Sequence, residues 1–372
     1  METPDSRRMI TWSAVLVVLL LAAIGGAVLV KAVQESTEAA RLANCHCHMG
    51  QLGVAFQEYH ARFGHFPSTG RVVSNGGEKH VAGWGFLVQI LPYINLGNLY
   101  DTINPDGDPD TPEANPKWEA GRLALPNTPM PGLICPSNPN RAFLDPAASP
   151  PRGAISNCKA MGATHIESLN QCLGLGKPLY GEPGMHPDGA MPPGPGRAAG
   201  DLADGAAHTI LCVETIDDTA SLWTRARDTV VVGLPTTGAG AVRFAAKKYR
   251  GEDAPPEGDS PIFADTKIGT VPGEYFAPQG FNGKFFAAAS DEVKGMRTFL
   301  GFDFRPGRAD AGTYPAFDGS QPAYGPGSAH PGAVVHLFGD ASSHAISTLI
   351  DPAAYMFLIT RNGGDPYHPD PP

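Results

Sequence analysis

The sequence predicts an α+β protein in which one long N-terminal helix leads into a β-rich domain with long, irregular loops. An uncharged run lies between Arg8 and Lys31, and apolar residues then recur at helical spacing as far as Phe63. The 45 glycines and 37 prolines exceed a fifth of the 372 residues, which is typical of turns and long connections. Short β-branched runs near residues 210 and 335 are typical of strands.

Residues 9–30 have the length and composition of a membrane-spanning helix. As a helix, residues 10–30 rise about 31 Å, which matches a hydrocarbon core of about 30 Å. Arg7 and Arg8 precede the span, so the positive-inside rule places residues 1–8 in the cytoplasm. We therefore expect a single-pass protein of the inner membrane, held by the lipid bilayer, with a periplasmic or otherwise extracytoplasmic C-terminal domain.

A cleaved secretory signal is the alternative for this run. Such signals have an apolar region of roughly 7–15 residues followed by a small-x-small cleavage site. This run is longer, and residues 31–35 offer no such site. The pattern favours a retained anchor.

The helix is expected to continue into the exported part of the chain over residues 31–66. The apolar positions of one helical face recur at Leu42, Cys45, Met49, Leu52, Phe56, Tyr59 and Phe63. Gly64 and Pro67 then provide a stop signal. The prediction is one helix from Ile10 to Phe63, half in lipid and half packed on a domain.

Residues 67–350 read as the β-rich domain with loop insertions. A short buried helix is expected over 84–94, closed by Pro92, and a short strand over 133–137. Exposed loops are expected at 184–200 and 250–261, and a strand over 208–214, which follows Asp204-Gly205.

The C-terminal part predicts a hairpin and a last helix. Residues 333–338 and 343–346 read as two strands joined by a turn. Residues 351–372 read as a short helix and tail, in which Asp351 is the N-cap and Gly363-Gly364 the stop.

Charge and cysteine content narrow the function classes. The net charge of −10 is spread along the chain, which argues against a nucleic-acid partner. The six cysteines allow up to three disulfides and 15 pairings, which the sequence leaves open. Their density is too low for a fold built on disulfides, since a chain of this size can bury a core.

Cys45-His46-Cys47-His48 is the densest run of metal-ligating residue types. Consecutive residues on a helix point about 100° apart, so that only Cys45 and His48 share a side. A metal ion would need ligands from elsewhere, such as the Cys135 region. A disulfide from Cys45 or Cys47 to the β-rich domain is favoured over a metal site.

Histidines near the C-terminal hairpin form a second candidate. His330 and Asp340 lie about 33 Å apart if the intervening segment is extended, so they cannot bind one ion together. His336 and His344 flank the turn and could face each other across the hairpin. A surface pair of histidines is the favoured interpretation.

The remaining acid/base clusters are explained by turns and loops. Asp204, near His208, is best explained by a turn. Glu214, Asp217 and Asp218 form a further acidic cluster, in which the acids after Glu214 are read as a solvated loop, with a bound cation as the alternative. We find no G-x-S-x-G, phosphate-binding glycine loop or H-E-x-x-H, and we expect no catalytic, cofactor-binding or metal-binding residues.

Short motifs are spaced along nearly the whole chain. Their principal residues are Cys45, Tyr59, His60, Pro67, Pro92, Tyr93, Cys135, Pro136, Ser137, Asp204, Gly205, Glu214, Trp223, His330, Pro331, Gly332 and Asp340. In number and order they resemble a large bacterial family of pilin-like proteins of unknown function. Its members have a prepilin-type N-terminus and a C-terminal motif of His, nine residues and Asp-Gly, for which this chain has Ala341 in the place of Gly.

The resemblance implies a pilin-like fold, in which the second half of the long helix lies on an antiparallel β-sheet. It implies no catalytic activity. Family members are cut after a Gly that follows Arg-Arg and carry a Glu five residues later, whereas this chain has Met9 and Ala14 at those positions. The processing site is therefore degenerate.

The function expected from the sequence is a membrane-anchored structural or interaction protein, similar to a pseudopilin. Its partners would be other pilin-like subunits or subunits of a type II secretion-like system. The alternative is an anchored binding module for a glycan, peptide or cation, which would use the loops at 184–200 and 250–261. An enzyme is the third and least favoured class.

Overall fold

The computed structural model describes the chain in several stretches, which together contain the helix and the sheet that position the site. These are residues 12–75, 78–107, 109, 125–138, 142–147, 149, 151–164, 166–174, 187–215, 221–233, 326–331, 333–347, 350 and 352–363. Met9, the side chain of Ala14, the acidic pair at 217 and 218, the loop expected at 250–261, Gly332 and Asp351 lie outside the description.

Helix α1 runs without a break over Trp12–Phe63. Its apolar half, residues 15–33, exposes the large hydrophobic side chains and is long and apolar enough to cross a membrane. Its packed half, residues 45–63, buries one face, on which Ala55 and Phe56 are fully enclosed. The helix ends at Gly64, which has φ +78° and donates its N–H to the His60 carbonyl at 2.7 Å. The predicted continuous helix is confirmed from Trp12 onwards.

A five-stranded sheet supports the packed half of α1. The strands in chain order are β1 (Arg71–Asn75), β2 (Glu78–Ala82), β3 (Phe143–Asp145), β4 (Arg152–Ala154), β5 (Cys158–Ala163), β6 (Ile210–Glu214), β7 (Val230–Val232), β8 (Ala333–Phe338) and β9 (Ser343–Ser347). The large sheet has the order β7-β5-β6-β8-β9, while β1-β2 and β3-β4 form separate hairpins.

The large sheet is mixed. Its β5-β6, β6-β8 and β8-β9 neighbours are antiparallel, as expected, but β7 pairs parallel with β5. The connection between β6 and β7 is long enough to pass beyond β5 to the far edge of the sheet. The fully antiparallel sheet expected from the sequence is therefore wrong at this edge, and the α+β class is confirmed.

Short helices fill the connections. The α-helices that follow α1 are α2 (Phe86–Gln89), α3 (Gly97–Tyr100), α4 (Ile166–Leu169) and α5 (Pro352–Ile359). The 3₁₀ helices are Leu91–Ile94, Leu125–Asn127, Pro131–Leu133, Asn170–Leu173, Ala199–Asp201, Ala206–His208 and Ala226–Asp228. Helix α5 ends at Ile359, four residues before the predicted Gly363 stop.

Three local predictions are wrong, each for a physical reason. Pro92 does not close the helix at 84–94 but starts a 3₁₀ helix, where a missing N–H costs nothing. No strand forms at 133–137, because the Cys135 N–H donates to the side chain of Asn157 at 2.9 Å. Of the loop expected at 184–200, residues 187–193 are buried instead of exposed, since Asp188 accepts hydrogen bonds from Thr164 and Ser168.

The main core lies between α1 and the large sheet. It joins Phe56 on the helix to Leu211, Val335 and Leu337 on the strands. On the opposite face of β8, His336 Nε2 lies 2.8 Å from the hydroxyl of Tyr355 in α5. The sheet is therefore covered on both faces, and the packed half of α1 forms one of the two covers.

Candidate functional site

Four buried titratable side chains converge where α1 meets the sheet. They are Cys45, Cys135, Glu214 and His330, and one ligand atom from each lies within 4.8 Å of all the others. We call this group the thiol cluster. The residues come from four separate parts of the fold.

Local structure fixes each member of the thiol cluster. Cys45 lies on the buried face of α1, and Cys135 follows the 3₁₀ helix that ends at Leu133. Glu214 is the last residue of β6, and its Oε2 accepts the Val335 N–H at 3.4 Å. The N–H of His330 donates to the Ser328 hydroxyl at 3.0 Å. These contacts hold the side chains on segments that are themselves anchored.

The two sulfur atoms lie at the centre of the thiol cluster. The Sγ atoms of Cys45 and Cys135 are 3.1 Å apart, and His330 Nε2 lies 3.2 Å from the former and 3.4 Å from the latter. Glu214 Oε1 lies 3.9 Å from Cys45 Sγ and 3.8 Å from His330 Nε2. Every member therefore contacts at least two others.

Glu38 orients His330 from outside the thiol cluster. Its Oε1 lies 2.5 Å from His330 Nδ1 and accepts the Ser137 hydroxyl at 2.7 Å. A carboxylate at Nδ1 favours the tautomer that carries its proton there. In neutral His330 the lone pair of Nε2 therefore points at the two sulfur atoms.

Burial and mutual contact shift the pKa values of the thiol cluster. The hydrogen bond from Cys45, together with burial, raises the pKa of Cys135 to about 12. Burial, followed by the nearby Cys135, raises the pKa of Glu214 well above its ordinary value. Burial lowers the pKa of His330, but contacts with Cys135, Glu214 and Glu38 outweigh it and raise the value to about 9.

The space beside the sulfur atoms of the thiol cluster is small, whereas a wider groove of about 600 Å³ lies against His330 and Glu38. A cavity of about 20 Å³ is lined by Cys45, His48, Cys135, Asn157, Glu214 and neighbouring apolar residues. That volume holds about one water molecule and excludes an organic substrate. The arrangement can share protons, close a disulfide or ligate a transition metal.

The structure pairs the cysteine and histidine candidates differently from the sequence. Cys45 contacts Cys135 and His330 instead of sharing an ion with His48, and none of the six cysteines forms a disulfide. Glu214 ends the strand expected over 208–214 and is 2% exposed, while the solvated loop expected for the two acids after it lies outside the described residues. Glu214 is buried because the end of β6 lies under α1.

His336 and His344 are register partners on β8 and β9, as expected. The two ring nitrogens of His336 lie 2.8 Å from the Val334 carbonyl and 2.8 Å from the Tyr355 hydroxyl. His344 Nε2 lies 3.1 Å from the Ser342 hydroxyl. The two rings therefore have separate partners, and His336 is fully buried and not on the surface.

The other motif residues have structural contacts. His60 Nε2 accepts the Ala199 N–H at 3.0 Å, and Asp204 Oδ2 accepts the Gly363 N–H at 2.6 Å. Trp223 Nε1 donates to the Thr128 carbonyl at 2.9 Å. Asp340 Oδ1 accepts the Ser342 N–H at 2.8 Å in the hairpin turn. Tyr59, Pro92 and Tyr93 line a separate groove.

Comparison with known proteins now places the chain in a family. The model of a family described as "Protein of unknown function (DUF1559)" matches residues 34–353. The chain belongs to the DUF1559 family. No curated protein and no solved structure matches it significantly. The range matched in this DUF1559 protein includes all four residues of the thiol cluster and Glu38, and it begins after residues 9–30.

Sequence motifs identify the members of the thiol cluster individually and do not predict that they form a group. Each of the four lies in a different motif, and Glu38 lies shortly before Cys45 on α1. Motif membership was the available signal, but it does not tell which motifs meet in space. Only the packing of α1 on the sheet brings them together.

Proposed function

We propose that this DUF1559 protein is a single-pass, membrane-anchored, pilin-like structural protein with its α+β domain outside the cytoplasm. The observation that carries the proposal is the division of α1. An unbroken helix of 52 residues exposes apolar side chains in one half and buries a face against the sheet in the other. A rigid helix, and no flexible linker, then joins bilayer and domain, which is the arrangement that the pilin resemblance implies.

The proposed partners are other pilin-like or secretion-system subunits. Met9 stands in the place of the Gly at the cleavage position, so the leader stays on the chain. Ala14 leaves no carboxylate to offset the charged N-terminus of a neighbouring subunit in lipid. The protein then acts as an anchored minor or accessory subunit and has no catalytic role.

The orientation can be tested with Cys47, which is exposed on α1 beyond the apolar half. A membrane-impermeant maleimide applied to intact spheroplasts should label the wild-type protein and fail to label Cys47→Ser. In the Cys47→Ser background, Ser6→Cys should be labelled only after lysis. Labelling of Ser6→Cys in intact spheroplasts would contradict the orientation.

Processing and assembly need a second experiment. Mass spectrometry of the protein from membranes should find an N-terminus that precedes Met9, and crosslinking in intact membranes should co-purify pilin-like subunits. A methylated N-terminus at Ile10 would contradict the uncut leader. Recovery of the crosslinked chain without any pilin-like or secretion-system subunit would contradict the assembly role.

A groove in the domain favours a second candidate function, an anchored receptor for an oligosaccharide. The groove has a volume of about 640 Å³, within the range of ligand pockets. Its aromatic lining includes Tyr59, Phe63, Trp84, Tyr93 and Tyr100. The polar groups that also line it are Arg62, Arg71, Gln89 and Asp106.

Aromatic faces beside hydrogen-bonding groups suit a sugar ring, which has an apolar face and a rim of hydroxyls. Binding of bacterial cell-wall oligosaccharides to the detergent-solubilised protein can be followed by calorimetry. Tyr93→Ala, in the groove, should weaken binding, and Val54→Ala, on the exposed side of α1, should not. Equal affinity of the two variants would rule out the groove.

A further inference from the structure

We propose that the thiol cluster binds one thiophilic divalent metal ion, for which Zn²⁺ is the best match. The ion would be held by Cys45 Sγ, Cys135 Sγ, His330 Nε2 and a Glu214 carboxylate oxygen. This goes beyond the structural role proposed above and departs from the sequence analysis, which expected no metal ligands.

The separations of the donor atoms match a tetrahedral site. Zinc bonds of about 2.3 Å to sulfur, 2.0–2.1 Å to nitrogen and 2.0–2.2 Å to oxygen give tetrahedral donor–donor distances of roughly 3.4–3.8 Å. Five of the six distances among the sulfurs, His330 Nε2 and Glu214 Oε1 run from 3.1 to 3.9 Å, and Cys135 Sγ lies within 4.8 Å of a Glu214 oxygen. An ion therefore needs only small side-chain movements to fit between them.

The donor set and its support also point to a metal. Two cysteines, one histidine and one carboxylate are all zinc ligand types, and soft thiolates select against Mg²⁺ and Ca²⁺. His330 has its other ring nitrogen against Glu38, the carboxylate–histidine arrangement that orients metal ligands. A simple disulfide between Cys45 and Cys135 would need neither a directed imidazole nor a buried carboxylate beside it.

Burial gives the cation an energetic role. Glu214 is enclosed beside two thiols, and burying acidic groups together costs free energy unless a cation compensates them. A divalent ion supplies that charge when it replaces the protons carried by its ligand atoms, on the two thiols and on any protonated His330 or Glu214, and these protons pass to solvent.

The ion would act as a structural tether. Four protein ligands leave no open coordination position, which is typical of structural and not catalytic zinc. Cys45 is 90 residues from Cys135 and 285 from His330, so the ion would close long loops and fix α1 to the domain.

Metal content of matched variants tests the proposal. Full-length protein is purified in detergent without chelator or reductant, and zinc, copper and iron are measured by mass spectrometry. Wild type and Cys47→Ser, whose exposed thiol lies two residues from Cys45, should each retain about one zinc per chain. Cys135→Ser should lose it, and Glu38→Ala should bind zinc about 10–100-fold more weakly.

A spectroscopic measurement keeps the test valid where Cys135→Ser does not fold. Co²⁺ added to chelator-treated wild type should produce thiolate-to-cobalt charge-transfer and intense tetrahedral d–d bands, saturating at one equivalent and displaced by Zn²⁺. Differential alkylation should show Cys45 and Cys135 protected by Zn²⁺ while Cys47 reacts throughout.

Three results would overturn the proposal. One is a metal-free wild type with a Cys45–Cys135 disulfide. Another is equal zinc content in Cys135→Ser and Cys47→Ser. The third is the absence of tetrahedral cobalt bands in folded, reduced wild type.

Discussion

The two halves of α1 belong to one helix but face different surroundings. In the apolar half Leu16, Leu20 and Leu29 are 60–68% exposed, whereas in the packed half Leu52, Ala55 and Phe56 are at most 4% exposed. The apolar half is apolar on all sides, whereas the packed half has most of its apolar residues on the side that meets the sheet. Helix propensity alone does not separate them, so the pattern of burial shows which half a bilayer would hold.

Removing the largest buried side chain of the packed half should have the largest effect. Phe56 is fully buried and makes an edge-to-face contact with Phe86, with ring centroids 5.7 Å apart. We expect Phe56→Ala to lower the free energy of unfolding by about 3–5 kcal/mol. Urea unfolding of the full-length protein in detergent measures the change. Leu20→Ala, in the apolar half, should leave that free energy unchanged. Equal effects of Phe56→Ala and Leu20→Ala would contradict the difference between the two halves.

The glycines of α1 differ in how closely they approach the sheet, and this gives the next prediction. A Cβ on Gly53 would lie 2.9 Å from the Ala341 Cβ and 3.0 Å from Leu337 Cδ1, while Gly25, Gly26 and Gly50 have nothing within 4 Å. Gly53→Ala should therefore push α1 off the β8-β9 turn and destabilise the domain by about 1–3 kcal/mol. Gly50→Ala, three residues away, should stabilise it by up to about 1 kcal/mol, because alanine favours a helix. Thermal unfolding of both variants measures these changes in stability. Destabilisation by Gly50→Ala would argue against the packing of the Gly53 side of α1 on the domain.

The pH dependence of stability should be confined to the domain. Burial lowers the pKa of His336 to about 3, so this ring stays neutral in the folded state. As the pH falls through about 6.5, His336 takes up a proton in the unfolded chain but not in the folded one. This residue therefore lowers the free energy of unfolding by about 1 kcal/mol between pH 6.5 and 5.5.

His336→Gln should remove this contribution, which corresponds to between about half a proton and one proton over this pH range, without altering the helicity of the apolar half. Urea titrations at the two pH values, compared between wild type and variant, give the difference. An unchanged slope would show that His336 is not the titrating group.

The smallest effect concerns the turn that touches Gly53. Ala341 has φ +71°, a left-handed conformation that an alanine adopts at a cost of about 1–2 kcal/mol. Ala341→Gly should therefore stabilise the domain by about 1 kcal/mol, and Ala345→Gly, on β9, should not. Calorimetry measures the thermal stability of the two variants. If both substitutions stabilise the domain, the left-handed backbone of Ala341 is not the reason.

The elements predicted correctly are those with local signals. The spacing of apolar residues from Leu42 to Phe63 predicts α1, and the turn at Asp340 predicts the β8-β9 hairpin. The parallel pairing of β7 and the burial of Asp188 depend on segments far away in sequence. The sequence does not predict the thiol cluster for the same reason. Helical spacing places Cys45 beside His48, whereas the residues that Cys45 contacts in the cluster are 90 or more residues away in sequence.

The central claim is that one continuous helix has its apolar half in lipid and its packed half on the sheet. A photoactivatable diazirine residue placed at successive positions of α1 in proteoliposomes tests it most directly. The account predicts lipid adducts on every face of residues 15–30, and crosslinks to the domain at positions such as Leu52 and Phe56 but not at Val54. Lipid adducts along residues 45–63, or crosslinks to the domain from residues 15–30, would contradict it.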